Sequence, residues 1–82
     1  MINLNQLKNN EKAKVICVEG SHGFLRKLEA LGITPGVEIV KTSSHFMRGP
    51  VIVSIRGTNV AIGFGMARRI MVEAFSGFRK QI

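Results

Sequence analysis

Few residues in this 82-residue chain are of a type that could do chemistry: one cysteine, Cys17, two histidines, His22 and His45, and five glutamates, with no aspartate. Without aspartate the usual Mg²⁺ carboxylates and the EF-hand loop are missing. Cys17 stands among Val15, Ile16 and Val18 with no local base or cation to lower its pKa, so it reads as a packing residue of a strand rather than a nucleophile. His22 and His45 are far apart, each beside Gly, Ser or Phe, and neither C-x-x-C nor H-E-x-x-H spacing occurs. Both read as exposed loop histidines. A metal site would have to assemble in space from Cys17, His22, His45, Met47 and a glutamate, and none is expected. Gly63-Phe64-Gly65-Met66-Ala67-Arg68 begins like a dinucleotide fingerprint, but its sixth position is Arg and no βαβ unit surrounds it. There is no P-loop and no G-x-S-x-G elbow. No catalytic residue and no cofactor are expected, and the chain does not read as an enzyme.

Charge is the next property able to act. Twelve Lys and Arg against five acids give a net charge of +7, enough to attract phosphate backbones or an anionic membrane surface. The cations are dispersed, however. Lys8, Lys12 and Lys14 lie at one end, while Arg26-Lys27, Arg68-Arg69 and Arg79-Lys80 are doublets on different elements. Trp and Tyr are absent, and Phe46, Phe64, Phe75 and Phe78 do not fall on one sheet face. A small basic barrel that binds nucleic acid is therefore an alternative reading, and no nucleic-acid partner is expected. The lone cysteine rules out an internal disulfide and points to a reducing compartment. The first residues lack the basic and apolar regions of a signal peptide, and the longest stretch free of charged and strongly polar side chains, Val60 to Ala67, is too short to span a bilayer. A cytoplasmic protein is expected.

The elements that must position these residues are short. One domain over residues 1–82 is expected, with 74–82 as a C-terminal tail. Leu4 and Leu7 lie on a turn against the core, and Asn9-Asn10 reads as a second turn. Ala13 to Glu19 predicts a strand ended by Gly20. Ser21 caps a helix carrying Phe24, Leu25, Leu28 and Leu31 on its apolar side, with Gly32 closing it. Thr34-Pro35-Gly36-Val37 fits a type II turn. Strands follow at Glu38 to Thr42, Val51 to Arg56, Val60 to Ile62 after a Gly57-Thr58-Asn59 turn, and Ile70 to Glu73, with a polar loop from Ser43 to Pro50. About five strands and one short helix can bury a shared core only by curling, which predicts a mainly β, partly open small barrel.

The run Arg26-Lys27-Leu28-Glu29-Ala30-Leu31-Gly32-Ile33-Thr34-Pro35-Gly36 resembles the R-x-L-x-x-L-G-[ILM]-x-P-G signature of the ferrous iron transport protein A (FeoA) family. The likeness continues in order through Glu38-Ile39, Pro50, Val51 to Gly57 and Ala61-Ile62. It ends in Ala67-Arg68-Arg69-Ile70-Met71-Val72-Glu73, similar to the family's A-x-x-I-x-V-E. This resemblance implies an SH3-like barrel in the cytoplasm without catalysis of its own, working beside the membrane-embedded, GTP-hydrolysing ferrous iron transporter FeoB. It implies docking on the cytosolic part of FeoB, association with the membrane only through that partner, and modulation of Fe²⁺ uptake. Related SH3-like domains form part of some metal-dependent repressors, so a metal-sensing domain is a further alternative. On a helix against a tiny barrel, Leu28 and Leu31 are expected inward. Phe24 and Leu25 straddle the edge and leave an apolar groove beside Pro35-Gly36, with Arg26 and Lys27 as rim charges that speed encounter. Phe46 and Met47 on their loop form the second candidate partner-binding patch.

Overall fold

The computed structural model describes residues 1–44 and 49–75. His45, Phe46, Met47 and the tail beyond residue 75 lie outside the described residues. The chain forms six short strands: β1 (Ile2–Asn3), β2 (Lys12–Val18), β3 (Glu38–Ser44), β4 (Val51–Ile55), β5 (Thr58–Ile62) and β6 (Ile70–Ala74). Helix α1 (His22–Ala30) follows β2, a single helical turn α2 (Phe64–Ala67) precedes β6, and a 3₁₀ turn (Leu4–Gln6) follows β1. All pairings are antiparallel, in the order β1-β6-β2-β3-β4-β5. The inward residues of β2 to β6 gather in one core with Leu4, Leu7, Leu28, Ile33 and Ala67, so the sheet wraps around them. No ladder joins β5 to β1 among the described residues, which leaves the barrel open on that side. Two elements add to the expected five strands and one helix. They are β1, too short to carry an alternation of its own, and α2, a single turn inside the Gly-containing corner.

Local chemistry explains the helix. Ser21 is its N-cap, and its Oγ accepts a hydrogen bond from the Phe24 amide at 3.3 Å. The helix stops in a Schellman motif: the Gly32 amide donates to the Glu29 carbonyl at 2.9 Å and the Ile33 amide to the Leu28 carbonyl at 2.9 Å. Gly32 has φ of +88°, the left-handed conformation such a closure requires. This geometry corrects the expectation for Leu31. It is the C-cap and 38% exposed, because the reversal at Gly32 hands the inward position to Ile33, which is 3% exposed and packs in the core with Leu28. The next turn is as its residues predict, with the Val37 amide donating to the Thr34 carbonyl at 3.2 Å and Gly36 at φ of +94°.

Two further corrections concern the strands. The β4–β5 hairpin turns at Arg56-Gly57 and not at Gly57-Thr58-Asn59, with Ile55 paired to Thr58. A two-residue hairpin needs left-handed backbone at both central positions, and Arg56 (φ 52°) adopts it beside Gly57 (φ 83°). Strand β2 carries a bulge: Val15 faces Val72 and Cys17 faces Met71, leaving Ile16 as the extra residue. Simple alternation would turn Cys17 inward after Ala13 and Val15. The bulge instead leaves Cys17 and Val18 both half-buried, and Ile16 37% exposed.

One polar side chain in the core escaped the sequence reading. Lys41 on β3 is 2% exposed, and its ammonium donates to the carbonyls of Leu7 (2.7 Å), Asn5 (3.0 Å) and Leu4 (3.3 Å). It fastens the N-terminal 3₁₀ turn to the sheet. Taking an ammonium out of water disfavours its charged form, so burial pushes the Lys41 pKa below its ordinary 10.5.

Candidate partner-binding groove

The bulge in β2 and the Schellman closure of α1 create the candidate site together. Cys17 and Val18 from β2 form one wall, and Leu25, Leu28 and Glu29 from α1 form the other. Ile33, Thr34 and Pro35 from the turn close one end. The groove has a volume of about 270 Å³, and Glu29 is its one charged lining residue. Leu28 is fully buried at its floor, while Leu25 stands at its lip 36% exposed. The Cys17 thiol is unbonded to another cysteine and only partly accessible. Such a surface can hold apolar side chains, and the Glu29 carboxylate beside them can accept a hydrogen bond.

The expected site residues separate in space. Leu25 lines the groove. Phe24 does not: its half-buried ring packs on the core, with the Arg69 guanidinium 5.7 Å from the ring centroid. Gly20 makes room for that ring, since a Cβ there would collide with Phe24 Cδ2. Arg26 and Lys27 are exposed on α1 but are not among the groove's lining residues. Phe46 and Met47 fall outside the described residues. Cys17 is a groove wall and not the strand packing residue expected, because the bulge re-aims it. His22 is the exposed first residue of α1 and not a loop residue. Among the described residues no group of three or more His, Cys, Asp or Glu gathers where a metal could be held. None of their helices is long and apolar enough to cross a membrane.

Six groove residues were missed as members: Cys17, Val18, Leu28, Glu29, Ile33 and Thr34. The bulge that brings in the first two has no signal in local sequence. Glu29 was readable, being one helical turn beyond Leu25 and therefore on the same face.

A larger and more open cleft of about 420 Å³ lies between the Gly36 turn and the Arg56-Gly57 hairpin. Lys12 and Glu38 in it stand 3.9 Å apart with about half of each side chain in water, a pairing worth little to stability. Its polar groups are already solvated, so it offers an apolar partner less than the groove does.

Comparison with known proteins agrees with this architecture. The FeoA domain family matches residues 2–74. A candidate Fe(2+) transport protein A of Methanocaldococcus jannaschii is 36% identical over 66 residues, covering 80% of this chain and 78% of the relative. The crystal structure of an iron uptake regulatory protein, FeoA, superposes with a TM-score of 0.82 at 35% identity, covering 90% of this chain and 96% of that one. The FeoA of Stenotrophomonas maltophilia, solved with zinc and described as a prokaryotic SH3 domain protein, gives a TM-score of 0.76 at 25% identity. That match covers 89% of this chain and 91% of the other. With a family match over nearly the whole described length and a relative of this identity, the chain belongs to the FeoA family.

Proposed function

We propose that this chain is a cytoplasmic, non-enzymatic accessory protein of ferrous iron uptake that binds the cytosolic part of FeoB through the groove between α1 and β2. The observation that carries this reading is the groove itself, an apolar recess whose lip, Leu25, is left partly in water. An apolar surface with no internal partner gains free energy when another chain covers it, by about 25 cal/mol for each Å² removed from water. The net charge of +7 speeds encounter with an acidic partner without fixing the docked geometry. Binding that changes the rate of GTP hydrolysis or the assembly of the transporter then modulates Fe²⁺ entry, with no chemistry required of this chain.

The test is co-purification with the cytosolic domain of FeoB, in both nucleotide states and with membranes present, comparing wild type with Leu25→Glu. The wild type should be retained. The variant, which places a charge at the groove lip, should lose at least tenfold in affinity while keeping its unfolding midpoint. Failure of the wild type to associate under every condition defeats the reading.

A further inference from the structure

The two edges of the sheet are treated very differently. β1 is two residues long and leads straight into the 3₁₀ turn held by Lys41, so that edge is short and blunted. β5, Thr58-Asn59-Val60-Ala61-Ile62, is a full five-residue strand at the other edge. It contains no charge, no proline and no bulge, the devices by which proteins keep such edges from pairing. This absence of protection sits within a chain of net charge +7.

The hairpin register shows which groups that edge presents. With Arg56-Gly57 as a two-residue turn, Ile55–Thr58 and Val53–Val60 are the hydrogen-bonded pairs, and Ser54–Asn59 and Ile52–Ala61 are the pairs between them. The Ile52 carbonyl accepts from Thr42 Oγ1 on β3 at 3.1 Å, so it points away from β5, as this phase requires. Asn59 and Ala61 therefore aim both their N–H and C=O groups off the sheet, and both residues are exposed. Val60 between them points to the core side but is only half-buried.

We infer that β5 is a self-pairing edge: two copies of this chain join antiparallel through it, about a twofold axis at Val60. In that register Asn59 faces Ala61 of the second copy, and each pair exchanges two N–H···O=C bonds. Among in-register antiparallel arrangements of this strand, it alone uses all four outward groups. It also sets the two Val60 side chains opposite each other on the inner face, where each covers the other's exposed part. Asn59 and Ala61 offer no large or charged side chain with which to select a foreign peptide, whereas the twofold match is built into the strand. Four backbone hydrogen bonds over five residues make a weak dimer, opposed by the repulsion of two cationic chains and strengthened when salt screens it.

Sedimentation velocity on the full chain over a concentration series, at low and high salt, tests this. The wild type should associate more strongly as salt rises. Ala61→Pro removes an N–H that points off the sheet and leaves the ladder to β4 intact, a placement proline tolerates on an edge. It should weaken association by roughly tenfold or more with the secondary structure retained. As a check independent of that variant's folding, Val60→Cys in a Cys17→Ser background should form an intermolecular disulfide under mild oxidation, and Asn59→Cys should not. A wild type that stays monomeric at millimolar concentration and high salt overturns the inference, as does an Ala61→Pro chain that folds and associates like wild type. Protection of the Asn59 and Ala61 amides only when the FeoB cytosolic domain is added would assign the edge to a foreign strand instead.

Discussion

The Lys41 anchor and the α1–β2 groove are opposite solutions to the same problem. At the anchor a polar group is taken fully out of water, and three carbonyl oxygens meet its ammonium. At the groove apolar side chains are left partly in water, and nothing within the described residues covers them. An internal interaction that is complete serves the fold, because any loss there is felt by the folded state alone. An apolar surface left partly in water has free energy still to gain if another molecule covers it. The difference is measurable residue by residue.

Leu28 should show the largest effect, since it is at once the groove floor and a fully buried core residue. Leu28→Ala should cost about 3 kcal/mol of stability by urea denaturation, the usual range for a buried leucine that leaves a cavity. Lys41→Met should come next, at about 2 kcal/mol, because a side chain of similar length would leave carbonyls of the N-terminal turn without their donor. In that variant the amides of β1 should lose their hydrogen-exchange protection before the rest of the sheet does. Leu25→Ala should cost less than about 1 kcal/mol, since the residue is already partly in water. If Leu25→Ala proved as destabilising as Leu28→Ala, the contrast between a satisfied and a waiting surface would break.

A pH series sharpens the comparison with the smallest effect. Burial lowers the Lys41 pKa in the folded chain below the 10.5 of the unfolded one. Between those two values the unfolded chain binds more protons, so the contribution of Lys41 makes stability rise with pH across that window and level off above 10.5. Subtracting the urea midpoints of Lys41→Met from those of the wild type, from neutral pH upward, should expose this rise. Leu25→Ala should track the wild type throughout.

Much of this architecture can be read from residues whose conformational demands are local. Ser21 before an apolar helix, Gly32 at its end and Pro35-Gly36 in a turn each answer to neighbours within a few positions, and all three sit where their chemistry places them. The same is true of the alternation in Val51, Val53 and Ile55, all buried. What could not be read depends on partners distant in sequence. Lys41 lies two residues beyond Ile39 and so on the same face of β3, yet a lysine at an inward position makes sense only with the N-terminal carbonyls in place. The bulge at Ile16 is set by pairing with β6, some fifty-five residues away, and it decides that Cys17 and Val18 belong to the groove. Leu31 fits the helical period perfectly well, but the Schellman closure gives its inward place to Ile33.

The extra residue in β2 also separates two tasks within one strand. Before Ile16, Ala13 and Val15 keep the side-chain phase that fills the barrel; after it, Cys17 and Val18 follow a different phase and line the groove. The groove wall at the far end of β2 can therefore vary at Cys17 while Ala13 and Val15 keep their places in the interior.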